Sequence, residues 1–216
     1  MKKLLSRLAG AASRSPASRP APGGDEDAAF FTTCFEDRDD DGVAIAWADR
    51  AAAIGAQPVD PARGTALFHA VWSADHHALE LTADEIDHLA TRFVFVSVPA
   101  AQDVIRQDER GAYLLWVLDG TLAVERIQPW GGRARLAEVL KGDVLGEMAL
   151  LDAGGRFSTC ATLKPCILAV LEAPALDEMM HAEPRLAVAL LSTLARRLSL
   201  RLRQVSARLS ALLAGS

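Results

Sequence analysis

The spacing of apolar residues along this chain changes period twice. From residue 43 to residue 93 it is helical. An alanine-rich stretch, residues 43–55, predicts a short helix that ends at Gly55 and is broken by Pro58 and Pro61. Residues 65–74 and 81–93 predict two further helices. In the second, Thr82 can cap the N-terminus and Glu85 stands where a capping box needs it. Ile86, Leu89 and Phe93 then share one face.

At Phe93 the pattern becomes β-branched and aromatic. Residues 93–98 read as a strand ended by Pro99, and residues 113–118 as another. Asp119-Gly120 is a strong short hairpin signal, expected to pair that strand with residues 121–127. Gly131-Gly132 precedes a strand over 134–140, Gly142-Asp143 makes a third turn, and 158–163 and 167–171 are the last strands. Short strands at this spacing with glycine-rich turns predict an all-β roll, barrel or sandwich. After Pro174 the helical period returns, in a short helix over 175–181 and a long one from Pro184 to about Leu213. The predicted order is helices, β-roll, helices, without an internal repeat.

The ends differ from this core in composition. Residues 1–24 carry five basic residues and no acid, ending in a Ser/Pro/Ala/Gly-rich run that reads as a disordered tail. Residues 25–42 are acidic and read as a solvated linker. The expected division is therefore a tail over 1–42, a helical extension over 43–80 and one domain over 81–213. Arg7 interrupts the leucines of the N-terminus too early for a signal peptide. No run approaches the roughly 18 apolar residues of a membrane span. With a net charge of −5 the chain does not read as a nucleic-acid binder. Its three cysteines, Cys34, Cys160 and Cys166, give neither a disulfide framework nor zinc spacing, so a reducing cytoplasm is expected.

Candidate chemistry concentrates in residues 142–163, GDVLGEMALLDAGGRFSTCATL. A ligand with one phosphate, one free hydroxyl and an apolar base needs a cation, a carboxylate and an apolar lid. Arg156 can give charge-assisted hydrogen bonds to the phosphate, and Glu147 can accept from the hydroxyl. Gly146 permits a tight turn, after which Glu147 to Leu151 can form one helical turn. The backbone N–H groups of Met148, Ala149 and Phe157 are then candidates for the same anion.

Residues 82–205 resemble the cyclic-nucleotide-binding domain family, which includes catabolite activator protein and the regulatory subunits of cyclic-AMP-dependent kinase. Three stretches carry the likeness. PAAQDVIR (99–106) looks like the family's opening strand pair, LWVLDGTLAV (115–124) like its hairpin, and GEMALLDAGGR (146–156) like its phosphate-binding cassette. The resemblance implies a mainly β fold with flanking helices: a cyclic-nucleotide-binding β-roll, or double-stranded jelly roll, with N-terminal helices and a long C-terminal helix. It implies ligand contacts at Gly146, Glu147, Met148, Ala149, Arg156, Phe157 and Ser158. Two residues depart from the family pattern. Gly155 replaces a proline, and Phe157 replaces a small residue.

The implied protein is a cytoplasmic sensor, not an enzyme, with no cofactor. Its ligand would be cyclic AMP rather than cyclic GMP, because Phe157 offers no donor where related domains use Thr or Ser for guanine. Ser158 is expected to point to the opposite face of its strand. Related proteins use the last helix both to dimerise and to lid the base. A homodimer signalling through that helix to an effector protein is therefore expected, with ligand favouring the closed helix. Neither membrane nor sequence-specific DNA binding is expected, since the chain ends at Ser216 without a helix-turn-helix. Two alternatives stay open. One is a ligand-free interaction module in which Glu147 and Arg156 merely pair. The other is the sensor half of a catabolite-activator-type transcription regulator, if the chain is a fragment.

Other residues read more plainly. His69, His76, His77, His88 and His181 avoid the predicted strands, unlike the metal ligands of a cupin-type enzyme, and are read as helix-surface residues. Cys160 and Cys166 are read as buried thiols. In the last helix Leu198, Leu202, Val205, Leu209 and Leu212 step by 4, 3, 4 and 3, a heptad seam. Six arginines from Arg185 to Arg208, with no acid after Glu183, give this helix a basic face.

Overall fold

The computed structural model describes residues 30–32 and 44–214. After a helical turn at residues 30–32, the described residues ahead of β2 include the helices α1 (Trp47–Ala53), α2 (Pro61–Ala74) and α3 (Ala83–Ala90). The first helix ends before Pro58 as expected, and Pro61 starts α2 earlier than the expected Thr65. It occupies the first helical position, where its missing N–H costs nothing, and the Asp60 carboxylate accepts from Arg63 N at 3.0 Å. The capping box of Thr82 and Glu85 forms as expected at α3.

The described residues hold nine strands, six of them read from the pattern of the sequence, with β3 implied only by the resemblance and β1 and β7 as short additions: β1 (Gln57–Pro58), β2 (Val94–Val98), β3 (Asp103–Ile105), β4 (Tyr113–Asp119), β5 (Thr121–Ile127), β6 (Arg133–Leu140), β7 (Val144–Leu145), β8 (Thr159–Thr162) and β9 (Cys166–Glu172). They form two antiparallel sheets, in the orders β1-β2-β9-β4-β7 and β3-β8-β5-β6. The Asp119-Gly120 turn is therefore a corner between sheets, not a hairpin. β4 pairs with β7 and β9, while β5 pairs with β6 and β8. At the corner Gly120 has φ 101°, and a Cβ there would lie 2.5 Å from Cys166 Sγ and 2.8 Å from its Cα. Only glycine fits both the conformation and the approach. The Gly131-Gly132 turn does close a hairpin, β5 to β6.

β4 and β9 read as continuous apolar runs because both faces are covered. Leu114, Trp116 and Leu118 of β4, with Ala169 and Leu171 of β9, meet the helices through Phe68, Trp72, Leu89, Leu176, Leu190 and Leu194. The alternate residues, Leu115, Val117, Leu168 and Val170, face the roll interior with Val104, Ile105, Leu122 and Cys160. A period of two on each strand thus builds two cores at once. Each fully buried Leu or Val contributes about 1.5–3 kcal/mol.

The last helices are α5 (Ala173–Ala182) and α6 (Pro184–Ala214), with the short α4 (Glu147–Asp152) inserted between β7 and β8. The first half of α6 is anchored by buried Leu186, Leu190, Thr193 and Leu194, whereas residues 201–214 are exposed throughout. The expected tail over 1–42 lies outside the described residues except at 30–32. There Phe31 enters the helix-side core, and the Asp177 carboxylate accepts from Phe31 N, Thr32 N and Thr32 Oγ1 at 2.7–2.8 Å. This short piece is docked, not a solvated linker.

Candidate functional site

Trp116 connects the helix-side core to the cassette. Its indole Nε1 donates to Gly142 O at 3.0 Å, fixing the turn before β7. β7 then delivers Gly146 in the left-handed region (φ 77°), and α4 begins at Glu147. Ala153 ends the helix, also left-handed (φ 51°), and Gly154 N donates to Asp152 Oδ1 at 2.8 Å. Met148 and Ala149 lie in the first turn, where backbone N–H groups have no intrahelical acceptor.

Arg156 is 3% exposed. Its Nη1 donates to Gly146 O at 2.8 Å and its Nη2 to Tyr113 O at 2.7 Å, with the guanidinium 4.5 Å from the Tyr113 ring. Its backbone is pinned as well: Arg156 N donates to Glu109 O, and Asp108 N to Arg156 O, each at 2.8 Å. The Glu109 carboxylate pairs in turn with the buried Arg50 of α1. Burial pulls the Arg156 pKa down, while Tyr113, Cys160 and Glu147 support the charge. A Cβ on Gly111 would lie 2.8 Å from Arg156 Nη2, so that glycine makes room for the guanidinium.

Glu147 is also buried. The partner of its carboxylate is Arg201 of α6, whose Nη1 donates to Oε1 at 2.6 Å, and not Arg156. Burial raises the Glu147 pKa, against the lowering effects of Arg201, the residue's own backbone N–H and Arg156.

Between the cassette and α6 lies a cavity of about 500 Å³. Gly146, Glu147, Met148, Ala149, Phe157 and Ser158, the residues that the resemblance marked beside Arg156, line it. Arg156 does not; it lies behind Gly146, holding the turn. Roll residues including Ile105, Val124, Leu145 and Cys160 form the apolar floor. Burial pushes the Cys160 thiol up to about 12, so it is a neutral wall group. Ser158 lines the cavity beside Phe157 instead of facing away, because both sit in a bend ahead of β8, where strand alternation has not begun. Phe157 is 56% exposed, with Arg126 4.0 Å over its ring and Arg126 Nη1 donating to Phe157 O at 2.8 Å.

The fourth wall was not read from the sequence. It consists of Arg201, Gln204, Val205 and Arg208 of α6. These residues recur at i, i+3, i+4 and i+7, one helix face, but the leucine seam beside them is the louder signal. α6 thus lies over the cavity.

A second cavity, of about 380 Å³, is lined by Asp75, His76, His77, Lys141, Asp143 and Arg197 among others. Its Asp75 and Arg197 pair with each other. His76 and His77 lie in a turn after α2, not on a helix surface. Among the described residues no group of three His, Cys, Asp or Glu could hold a metal ion. No described helix is long and apolar enough to cross a membrane. Cys160 and Cys166 are buried free thiols, as expected.

No curated protein matches the chain. Solved structures do. A cyclic nucleotide-binding domain from Methylobacillus flagellatus KT is 24% identical, with a TM-score of 0.63, over 71% of this chain and 85% of that one. The catabolite activator protein of Thermus thermophilus is 26% identical, with a TM-score of 0.55, over 61% of this chain and 60% of that one. The N-terminal domain of a transcriptional regulator from Streptomyces coelicolor A3(2) is 25% identical, with a TM-score of 0.54, over 62% of this chain and 94% of that one. The family model described as the cyclic nucleotide-binding domain matches residues 95–183, from β2 to the end of α5. The match covers the roll and its cassette, while the helices ahead of β2 and α6 behind it lie outside the residues matched.

Proposed function

We propose that the chain is a cytoplasmic, non-catalytic sensor of a cyclic mononucleotide, with cyclic AMP preferred over cyclic GMP. Its output passes through α6 to a partner protein. One observation carries this reading: the cassette residues Gly146 to Ala149, Phe157 and Ser158 converge on a single cavity that α6 closes. Its volume of about 500 Å³ lies within the range of small-ligand pockets, roughly 300–1,000 Å³. Glu147 supplies the hydroxyl acceptor, and Arg156 supplies the cationic charge from behind Gly146. The preference for cyclic AMP rests on Phe157, which has no side-chain donor. Ser158 is the hydroxyl that would reverse it.

A second reading has its own support. Glu147 and Arg156 are both satisfied internally, which suits an interaction module that binds no ligand. Calorimetry with cyclic AMP, cyclic GMP and a cyclic dinucleotide separates the two. Saturable binding with cyclic AMP the tightest is expected, and heat from none of the three leaves only the module.

A further inference from the structure

We infer that α1 is part of the binding machinery: Arg50, acting through Glu109, positions Arg156 and with it the Gly146 turn of the cassette. The inference rests on the ligand-binding reading above. α1 lies outside the residues that the family model matches. Its contacts nonetheless fall on residues 109–113, the segment that leads into β4. Ile45 N, just ahead of the helix, donates to Arg110 O at 2.9 Å. The Trp47 and Tyr113 rings meet edge to face, with centroids 5.2 Å apart. Arg50 pairs with the Glu109 carboxylate. The same segment holds Arg156: Glu109 O accepts from Arg156 N, and Tyr113 O accepts from Arg156 Nη2.

Stability alone does not account for the Arg50 pair. Arg50 is 3% exposed, and its Nε meets no acceptor among the described residues. A buried ion pair adds little net stability, and an orphaned N–H subtracts from it. What the pair does fix is the position of Glu109, whose carbonyl sets the backbone of Arg156. Arg156 Nη1 carries that position on to Gly146 O, at the wall of the cavity. Both cations also act on Tyr113: burial raises its pKa, while Arg156 and Arg50 each lower it. Docked α1 thus tightens ligand binding. Such coupling is reciprocal, so bound ligand holds α1 on the roll by the same factor.

The test uses the full chain, R50M and R50K, with cyclic AMP as probe. Calorimetric affinity is read together with hydrogen exchange of the Ile54 and Ala56 amides, which bond back to Arg50 O and Ala51 O of α1. R50M should bind about three- to tenfold more weakly, the lower range for residues coupled in one network. R50K should restore most of that affinity, because Arg50 meets Glu109 through a single nitrogen. Saturating cyclic AMP should slow exchange of both amides in the unaltered protein by a similar factor, and not in R50M. Simple destabilisation would speed exchange with and without ligand alike. Folded R50M that binds within about twofold of the unaltered protein overturns the inference while the sensor reading stands. So does failure of R50K to rescue, or α1 exchange indifferent to bound cyclic AMP. Where R50M does not fold, E109Q, which keeps an acceptor for Arg50, takes its place and should weaken binding in the same range. Absence of binding by the unaltered protein overturns the sensor reading and the part of α1 in it together.

Discussion

Arg156 joins binding and stability in one side chain. The sequence placed it as a ligand contact outside the apolar core, and on that basis its loss should spare the fold. The structure buries it against two backbone carbonyls. Arg156→Ala leaves both carbonyls without their donor, which typically costs about 2–4 kcal/mol. We therefore expect lower urea stability together with the largest loss of nucleotide affinity of any cassette substitution. Unchanged stability would mean that Gly146 O and Tyr113 O find other donors. Glu147 predicts a pH effect. Burial raises its folded pKa above the unfolded value. The folded chain then holds that proton more tightly, so the charged carboxylate costs stability at neutral pH. The cost is relieved as pH falls through the raised value. Relative to E147Q, the unaltered protein should gain stability as pH falls from neutrality toward the ordinary carboxylate range. A difference that stays constant across that range rules the effect out. The cassette itself was legible because Gly146, Glu147 and Arg156 keep a fixed local spacing. Gly111 and Tyr113 were not, because they meet Arg156 only through the fold, as a missing Cβ and a carbonyl.

At the scale of elements, α6 carries an exposed apolar stripe. Leu202, Val205, Leu209 and Leu212 are 55–73% exposed, although Val205 also touches the cavity. This is the seam that the 4-3-4-3 spacing marked, and a second α6 would bury it. Light scattering should find a dimer, and L202D/L209D should yield a monomer with an unchanged β-sheet signature. A native monomer at tens of micromolar sinks the dimer. At the other end of the domain, Asp177 accepts three hydrogen bonds from Phe31 and Thr32. Limited proteolysis should therefore cut D177A faster ahead of α1, and equal rates would show that Phe31 alone secures the segment. Helix positions were legible where caps and periodicity agree, as at Thr82 and Glu85. The two-residue strands β1 and β7 were not, because a period needs more residues than they have. Neither was the corner at Gly120, since a turn signal does not say which strand its neighbours will pair with.

At the scale of the whole molecule, part of the basic face of α6 is engaged within the chain. Arg185 pairs with Glu85, Arg197 with Asp75 and Arg201 with Glu147, so half of the six arginines on α6 meet an acid from the same chain. Binding of DNA by this chain should accordingly be weak, independent of sequence, and lost at about 0.15 M salt. A discrete footprint at that ionic strength would refute this.

Trp116 has an optical consequence. It is fully buried, bonds to Gly142 just ahead of the cassette, and lies 5.3 Å from the guanidinium of Arg197 on α6. Of the four tryptophans, Trp130 at the hairpin tip is 81% exposed, while Trp47 and Trp72 are buried with Trp116. W130F would therefore remove the water-facing emitter. Of the remaining blue-shifted fluorescence, from Trp47, Trp72 and Trp116, the Trp116 share would report, without any attached dye, on the junction where cassette and C-terminal helix meet.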